Sequence, residues 1–277
     1  RVLRTELDMG MLPLVLDYIR SRPRLLEHPA VAVYFYGYLA LTEPREDQHF
    51  FALKQQLPLV ASQFPQQELG DIFFMAINFC IRKINRQEER YFQEVFELYQ
   101  SGLRHGALLE DGILSRWPYN NITSTGLRLR EYDWVWAFIR DYAPLLAVEH
   151  RTGAIHFNLA RYHFEKGELQ EAMQHLLHIE YDDVLQNLSS KTMLSKIYYR
   201  LDETDALENQ LDSIQIYIRR KKILGYHRDN YLNFVKFTQK MAKTIGQTPA
   251  RRRALAEKVS QTPAVAERDW LLEKLRR

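Results

Sequence analysis

Residues 157–177, FNLARYHFEKGELQEAMQHLL, carry apolar side chains at helical spacing, then Lys-Gly-Glu, then helical spacing again. The same pattern runs along most of the chain. Apolar positions recurring three and four residues apart predict amphipathic helices over 11–22, 47–57, 66–85, 88–102, 121–128 and 132–142. The stretch PAVAVYFYGYLALT (29–42) is nearly all apolar and predicts a helix buried on most sides. A short helix is expected over 107–115, followed by a loop at RWPYNN. From Val148 the pattern becomes most regular, with helices at 149–166, 168–180, 188–201 and 203–222. Residues 228–245 form a further amphipathic helix, with Tyr231, Phe234, Val235, Thr238, Met241, Ala242 and Ile245 on one face. Two final segments, QTPARRRALAEKV and QTPAVAERDWLLEKL, each open with Thr-Pro. Thr248 and Thr262 are expected N-caps, and Pro249 and Pro263 suit a first turn that needs no amide donor. Period-2 runs rich in Val, Ile and Thr are missing.

The chain therefore reads as all-α, with about fourteen helices joined by short connections. One continuous solenoid is expected. Irregular hairpins occupy 1–117, repeats 118–222, and a basic helical cap 223–277. The weakest points for a boundary are Gly225 and Gly246.

The decisive pattern is internal repetition. Placing LARYHFEKGELQEAMQHLLHI (159–179) over LSKIYYRLDETDALENQLDSI (194–214) aligns Leu159 with Leu194, Ala160 with Ser195, Arg161 with Lys196, Phe164 with Tyr199, Leu176 with Leu211, and Ile179 with Ile214. Gly167 and Asp202 occupy the turn, where both tolerate conformations that bulky residues resist. A weaker copy, NNITSTGLRLREYDWVWAFI (120–139), has its turn at Arg130. One helical hairpin cannot bury its apolar face alone, whereas stacked neighbours can. These residues resemble the tetratricopeptide repeat, whose period is about 34 residues. The small Ala160 and Ser195, Tyr198, the Gly-Glu-Leu turn at 167–169 and Ala172 carry the resemblance. It is good over 118–220 and loose elsewhere. The first-helix Trp and the closing Pro of that family are absent, and Leu207 stands where Ala is usual. A looser likeness is to the helical carboxy-terminal regions of large bacterial proteins, which implies no activity.

The resemblance implies a concave surface that holds a peptide or protein, contacted from first-helix positions. The matching positions are Asn120, Ser124 and Arg128, then Phe157, Arg161 and Phe164, then Thr192, Lys196 and Tyr199, with Arg200 beside the last. A basic line of Arg128, Arg161, Lys196 and Arg200 would favour an acidic segment or a carboxyl terminus, because guanidinium and ammonium groups pair with carboxylates. The alternative is that these charges are solvated or pair with nearby acids.

Charge changes this picture in one place. The 277 residues carry a net charge of +3, but 215–258 hold twelve Lys and Arg against two Asp and Glu. The remainder holds 26 basic and 33 acidic residues, so the basic third is a local feature. Lys236, Lys240 and Lys243 fall on one helical face, opposite the aromatic one. Nucleic-acid binding through this stripe is the leading competitor of protein binding.

Composition adds exclusions. The chain has 11 Gly and 10 Pro against 16 Tyr and 14 Phe, as suits long helices packed through bulky side chains. Cys80, the single cysteine, cannot form an internal disulfide; in FFMAINFCIRK it reads as a buried, inert thiol, and fits a reducing, cytoplasmic setting. No apolar run reaches the roughly 18 residues of a membrane span. The opening RVLRTELD carries neither an initiator Met nor a signal-peptide pattern, and reads as a piece of a longer protein. Five of the nine histidines (150, 156, 163, 175 and 178) fall in one predicted hairpin, but no zinc-binding spacing accompanies them. Phosphate-loop, dinucleotide and nucleophile-elbow motifs are absent, so neither catalysis nor a cofactor is expected. In the tail, Val265, Trp270, Leu271 and Leu275 form an apolar stripe, read as a cap over the end of the stack.

Overall fold

The computed structural model describes residues 11–177, 183–223, 225–243 and 248–276. Among these the fold is all-α, with fourteen α-helices: α1 (Leu12–Ser21), α2 (Pro29–Thr42), α3 (Asp47–Val60), α4 (Gln66–Ile84), α5 (Tyr91–Arg104), α6 (Arg116–Arg128), α7 (Tyr132–Tyr142), α8 (Val148–Lys166), α9 (Leu169–Leu177), α10 (Val184–Arg200), α11 (Thr204–Arg220), α12 (Gly225–Ala242), α13 (Pro249–Gln261) and α14 (Arg268–Arg276). Short 3₁₀ turns lie at 23–27 and 143–145. Sequential helices pack as antiparallel hairpins: α2 on α3, α4 on α5, α6 on α7, α10 on α11. This is the helix–turn–helix arrangement that the repeat pattern predicts. The chain divides into two compact units, Arg1–Ala154 and Ile155–Arg277, and the division falls inside α8.

In the first unit the core is aromatic. Phe50 stacks on Phe79 at 4.7 Å, and Tyr91 meets both rings edge-on at 5.8 and 5.9 Å. In the second unit, Phe157, Ala160 and Phe164 of α8, Ala172 and Leu176 of α9, and Met193, Leu194 and Ile197 of α10 share one buried cluster. The hairpins built on Gly167 and Asp202 thus lie flank to flank over a common apolar seam. A second cluster joins Leu207, Leu211 and Ile214 of α11 to Phe234 and Met241 of α12, Leu255 and Val259 of α13, and Trp270, Leu271 and Leu275 of α14.

One turn recurs. Gln87, Arg130, Gly167, Asp202 and Lys222 all have positive φ, between 51° and 82°. After each, the next amide N–H donates five residues back: Glu88 to Lys83 O, Glu131 to Gly126 O, Glu168 to His163 O, Glu203 to Tyr198 O and Ile223 to Ile218 O, at 2.9–3.2 Å. This closure satisfies a carbonyl that the ending helix leaves open. Four of the five donors are Glu, at or near the start of the next helix, where a negative charge is favoured. Seven residues before four of these turns stand Cys80, Thr123, Ala160 and Ser195, each fully buried. The resemblance to a small first-helix position therefore extends upstream, with Cys80 as one of the set.

Several expected elements differ. The short helix over 107–115 is a β-hairpin, β1 (Leu109–Glu110) with β2 (Ile113–Leu114). Asp111 and Gly112 between them have φ of 51° and 80°. An Asp-Gly pair with both residues at positive φ makes the tight turn whose twist matches paired strands, and this local preference overrides helical spacing. RWPYNN is not a loop but the start of α6, where Pro118 needs no amide donor. α3 continues to Val60 past Pro58. α10 begins at Val184, capped by Asp183, whose carboxylate accepts from the Gln186 amide at 2.8 Å. Pro263 does not open a helix. Thr262 closes α13, its hydroxyl donating to Lys258 O at 2.7 Å, and α14 starts only at Arg268. Thr248 precedes α13 without a side-chain cap bond. The expected pairings of Ile179, His178, Ile245 and Gly246 lie outside the described residues.

Candidate partner-binding face

Ala160 and Ser195 are fully buried, and α8 and α10 share one buried cluster, which brings the residues after them together. Lys196 Nζ lies 2.7 Å from Glu267 Oε2, 4.7 Å from the Phe164 ring centre and 5.9 Å from that of Trp270. The Arg200 guanidinium sits 4.1 Å over Phe164 and donates to the Phe164 carbonyl at 3.3 Å. Tyr199 meets Trp270 edge-on at 5.4 Å. Arg161 lies 5.6 Å over Phe157. Burial lowers the pKa of its guanidinium, and the Glu267 and Glu165 carboxylates partly offset that. Burial also raises the Tyr199 hydroxyl above its usual range, helped by Asp202 and opposed by Arg252.

Of the ten sequence-derived groove positions, Arg161, Phe164, Lys196, Tyr199 and Arg200 therefore form one cationic and aromatic cluster. The chain's own tail lies on it. Glu267 and Trp270 belong to the segment that follows α13, which is stitched to α12 by Ala266 N–H to Asn230 O (3.1 Å) and Asn233 Nδ2 to Ala264 O (2.8 Å). Arg268 holds the same loop, donating to the carbonyls of Ser260, Thr262 and Pro263. As a result Phe164 and Lys196 are buried and Arg200 is exposed. Arg128 stands apart in the first unit, 2.9 Å from Glu89 and 5.5 Å over Phe92. Glu267 escaped the sequence reading because it lies 71 residues from Lys196, a distance that no periodicity reports.

On the alternative basic face, Lys236 and Lys240 are exposed on α12 and Lys243 is exposed in the turn just after it, while Phe234, Val235, Thr238 and Met241 are buried. Tyr231 is partly buried, and its hydroxyl lies 3.2 Å from Ser189 Oγ.

Three histidines converge in the α8–α9 hairpin. His156 Nδ1 is 3.0 Å from His175 Nδ1, and His163 stacks on His175 at 5.4 Å while bonding Glu168 at 2.6 Å. Among the described residues, no group of three or more His, Cys, Asp or Glu is arranged to hold a metal ion. None of the described helices is long and apolar enough to cross a membrane.

No protein-family model matches this chain, and no curated protein matches it. Among solved structures it is similar to the crystal structure of the APC/C hetero-tetramer Cut9-Hcn1, at 14% identity and a TM-score of 0.42, over 98% of this chain. The chain spans 46% of the length of that neighbour. Likeness at this level adds nothing to the fold, which rests on the hairpin packing itself.

Proposed function

We propose that this chain is a non-catalytic scaffold that binds a protein or peptide through the first-helix face of its hairpins, and that the bound segment is acidic. One observation carries the reading. The face formed by α8 and α10 already holds a carboxylate, Glu267, against Lys196 and close to Arg161. A surface whose cations already hold one carboxylate is chemically suited to a second, since guanidinium and ammonium groups pair with carboxylates and the aromatic rings hold those cations in place. Phe164 and Lys196 shape this face from beneath, so direct contacts fall to Arg161, Tyr199 and Arg200. The single buried Cys80 fits a reducing, cytoplasmic compartment.

The test is co-purification of the intact protein with cross-linking, with and without nuclease. A protein partner that survives nuclease and is lost from the Arg161→Glu/Arg200→Glu variant is the expected result. A nuclease-sensitive complex that instead needs Lys236, Lys240 and Lys243 supports the second reading, nucleic-acid binding. That reading draws on the exposure of all three lysines, two on α12 and Lys243 directly after it.

A further inference from the structure

The first unit carries a groove of opposite character. A concavity of about 650 Å³ opens between the start of α4, the β1–β2 hairpin and the start of α6. Its walls are fixed. Gly70 lets α4 close on the strand-side backbone, because a Cβ there would stand 2.9 Å from Ala107 O. The Gln66 side chain bonds the Gly106 carbonyl, and Leu114 on the far strand bridges to Leu146. The apolar lining includes Phe74, Ile113 and Pro118, with Phe74 38% and Ile113 48% exposed. Trp117 stands beside Pro118, 53% exposed. The charged lining is Asp71, Glu110 and Asp111, with no lysine or arginine. None of the three carboxylates makes an ion pair with a described residue, unlike Glu94, which pairs with Lys54, or Glu89, which pairs with Arg128.

We propose that this groove docks an extended segment of a protein partner in which a Leu, Phe or Trp side chain is flanked by Lys or Arg. The apolar side chain covers Phe74 and Ile113, which water otherwise wets. The flanking cations answer three carboxylates that no described residue pairs, setting both orientation and selection against acidic segments. A preformed groove adds little ordering cost on the scaffold's side. The inference does not depend on the acidic ligand proposed above, since it concerns another unit and the opposite charge.

Random peptides displayed on phage are selected against the intact protein at low salt. Enriched sequences are then measured by fluorescence anisotropy. Sequences pairing Lys or Arg with Leu, Phe or Trp are expected. Their affinity should fall about tenfold in the Asp71→Asn/Glu110→Gln/Asp111→Asn variant, and by a similar factor in Phe74→Ser, with helical content and melting temperature unchanged. Asn keeps the left-handed turn at position 111. No enrichment, enrichment without the basic–apolar pairing, or equal affinity for the triple variant would overturn the proposal. So would a dimer in sedimentation velocity that the triple variant abolishes, which makes a second copy the occupant. Enriched acidic peptides that respond only to Arg161 and Arg200 would support the scaffold reading and remove this one.

Discussion

Each unit buries one lysine against aromatic rings, and the two are held differently. Lys83 ends α4 with its side chain 8% exposed, 2.6 Å from Asp47 and 3.5 Å from Glu88, and 5.5 Å from the centres of both Phe79 and Tyr91. Asp47 is further bonded by Arg90 and by the Tyr91 hydroxyl. Lys196 sits about one turn before the end of α10, 11% exposed, with one carboxylate, Glu267, that is itself 40% exposed. The chemistry is the same, a cation between rings with an acid at its tip. In the first unit the acids belong to the neighbouring hairpin and to the turn that follows the lysine. In the second the acid arrives with the terminal segment. A repeat body therefore satisfies its own buried charge, whereas the end of the stack relies on its cap.

The comparison breaks most readily at the cap. Trp270→Ala removes a buried ring that covers Lys196, Tyr199 and Phe234. A loss of about 3–5 kcal/mol in urea denaturation is expected; a loss under about 1 kcal/mol would show that α14 is an attachment and not core. Lys83→Ala leaves Asp47 without its main partner and should cost about 3 kcal/mol. Lys196→Ala should cost about 1 kcal/mol, because Glu267 can turn to water. Equal costs for the two lysines would erase the distinction drawn here.

Acid should separate the units by pH. Burial, and then the neighbouring His156 and His163, hold the His175 pKa below its ordinary 6.5. The unfolded chain then binds that proton more readily, so stability of the α8–α9 hairpin is complete above pH 6.5 and declines as pH falls below it. Asp47 is the opposite case. Burial pushes its carboxyl upward, but hydrogen bonds from Lys83 and Tyr91 and the charges of Lys83 and Arg90 outweigh that and hold it below 3.8. Its contribution stands above pH 3.8 and is lost only below it. Hydrogen-exchange protection factors should therefore fall in α8 and α9 at milder acidity than in α3 and α4. Simultaneous loss in both pairs of helices would contradict this assignment.

The architecture was readable because helical spacing and repetition are local properties. Gly167, Asp202 and Arg130 marked turns, and the 35-residue offset placed Ala160 and Ser195 in one seam. A β-hairpin stands where a helix is expected because Leu108, Leu109, Ile113 and Leu114 also fit helical spacing, while the turn rests on the Asp111-Gly112 pair alone. Thr262-Pro263 misled for a related reason: Thr-Pro suits the start of a helix, yet here it closes α13 and begins the loop that carries Glu267. At the candidate face the residue types were legible from the alignment. Their burial was not, since it depends on where a segment 71 residues away comes to rest. The groove around Asp71, Phe74 and Ile113 left no trace in periodicity either, because three separate elements build it.

Cys80 has a use that its inertness conceals. It is the single thiol, fully enclosed in the small-residue seam, and burial raises its pKa far above that of a free cysteine. A disulfide reagent added to the native protein reacts only when that seam parts. The rate of modification thus clocks the opening of one interhelical joint in the first unit, with no engineered label and no competing site.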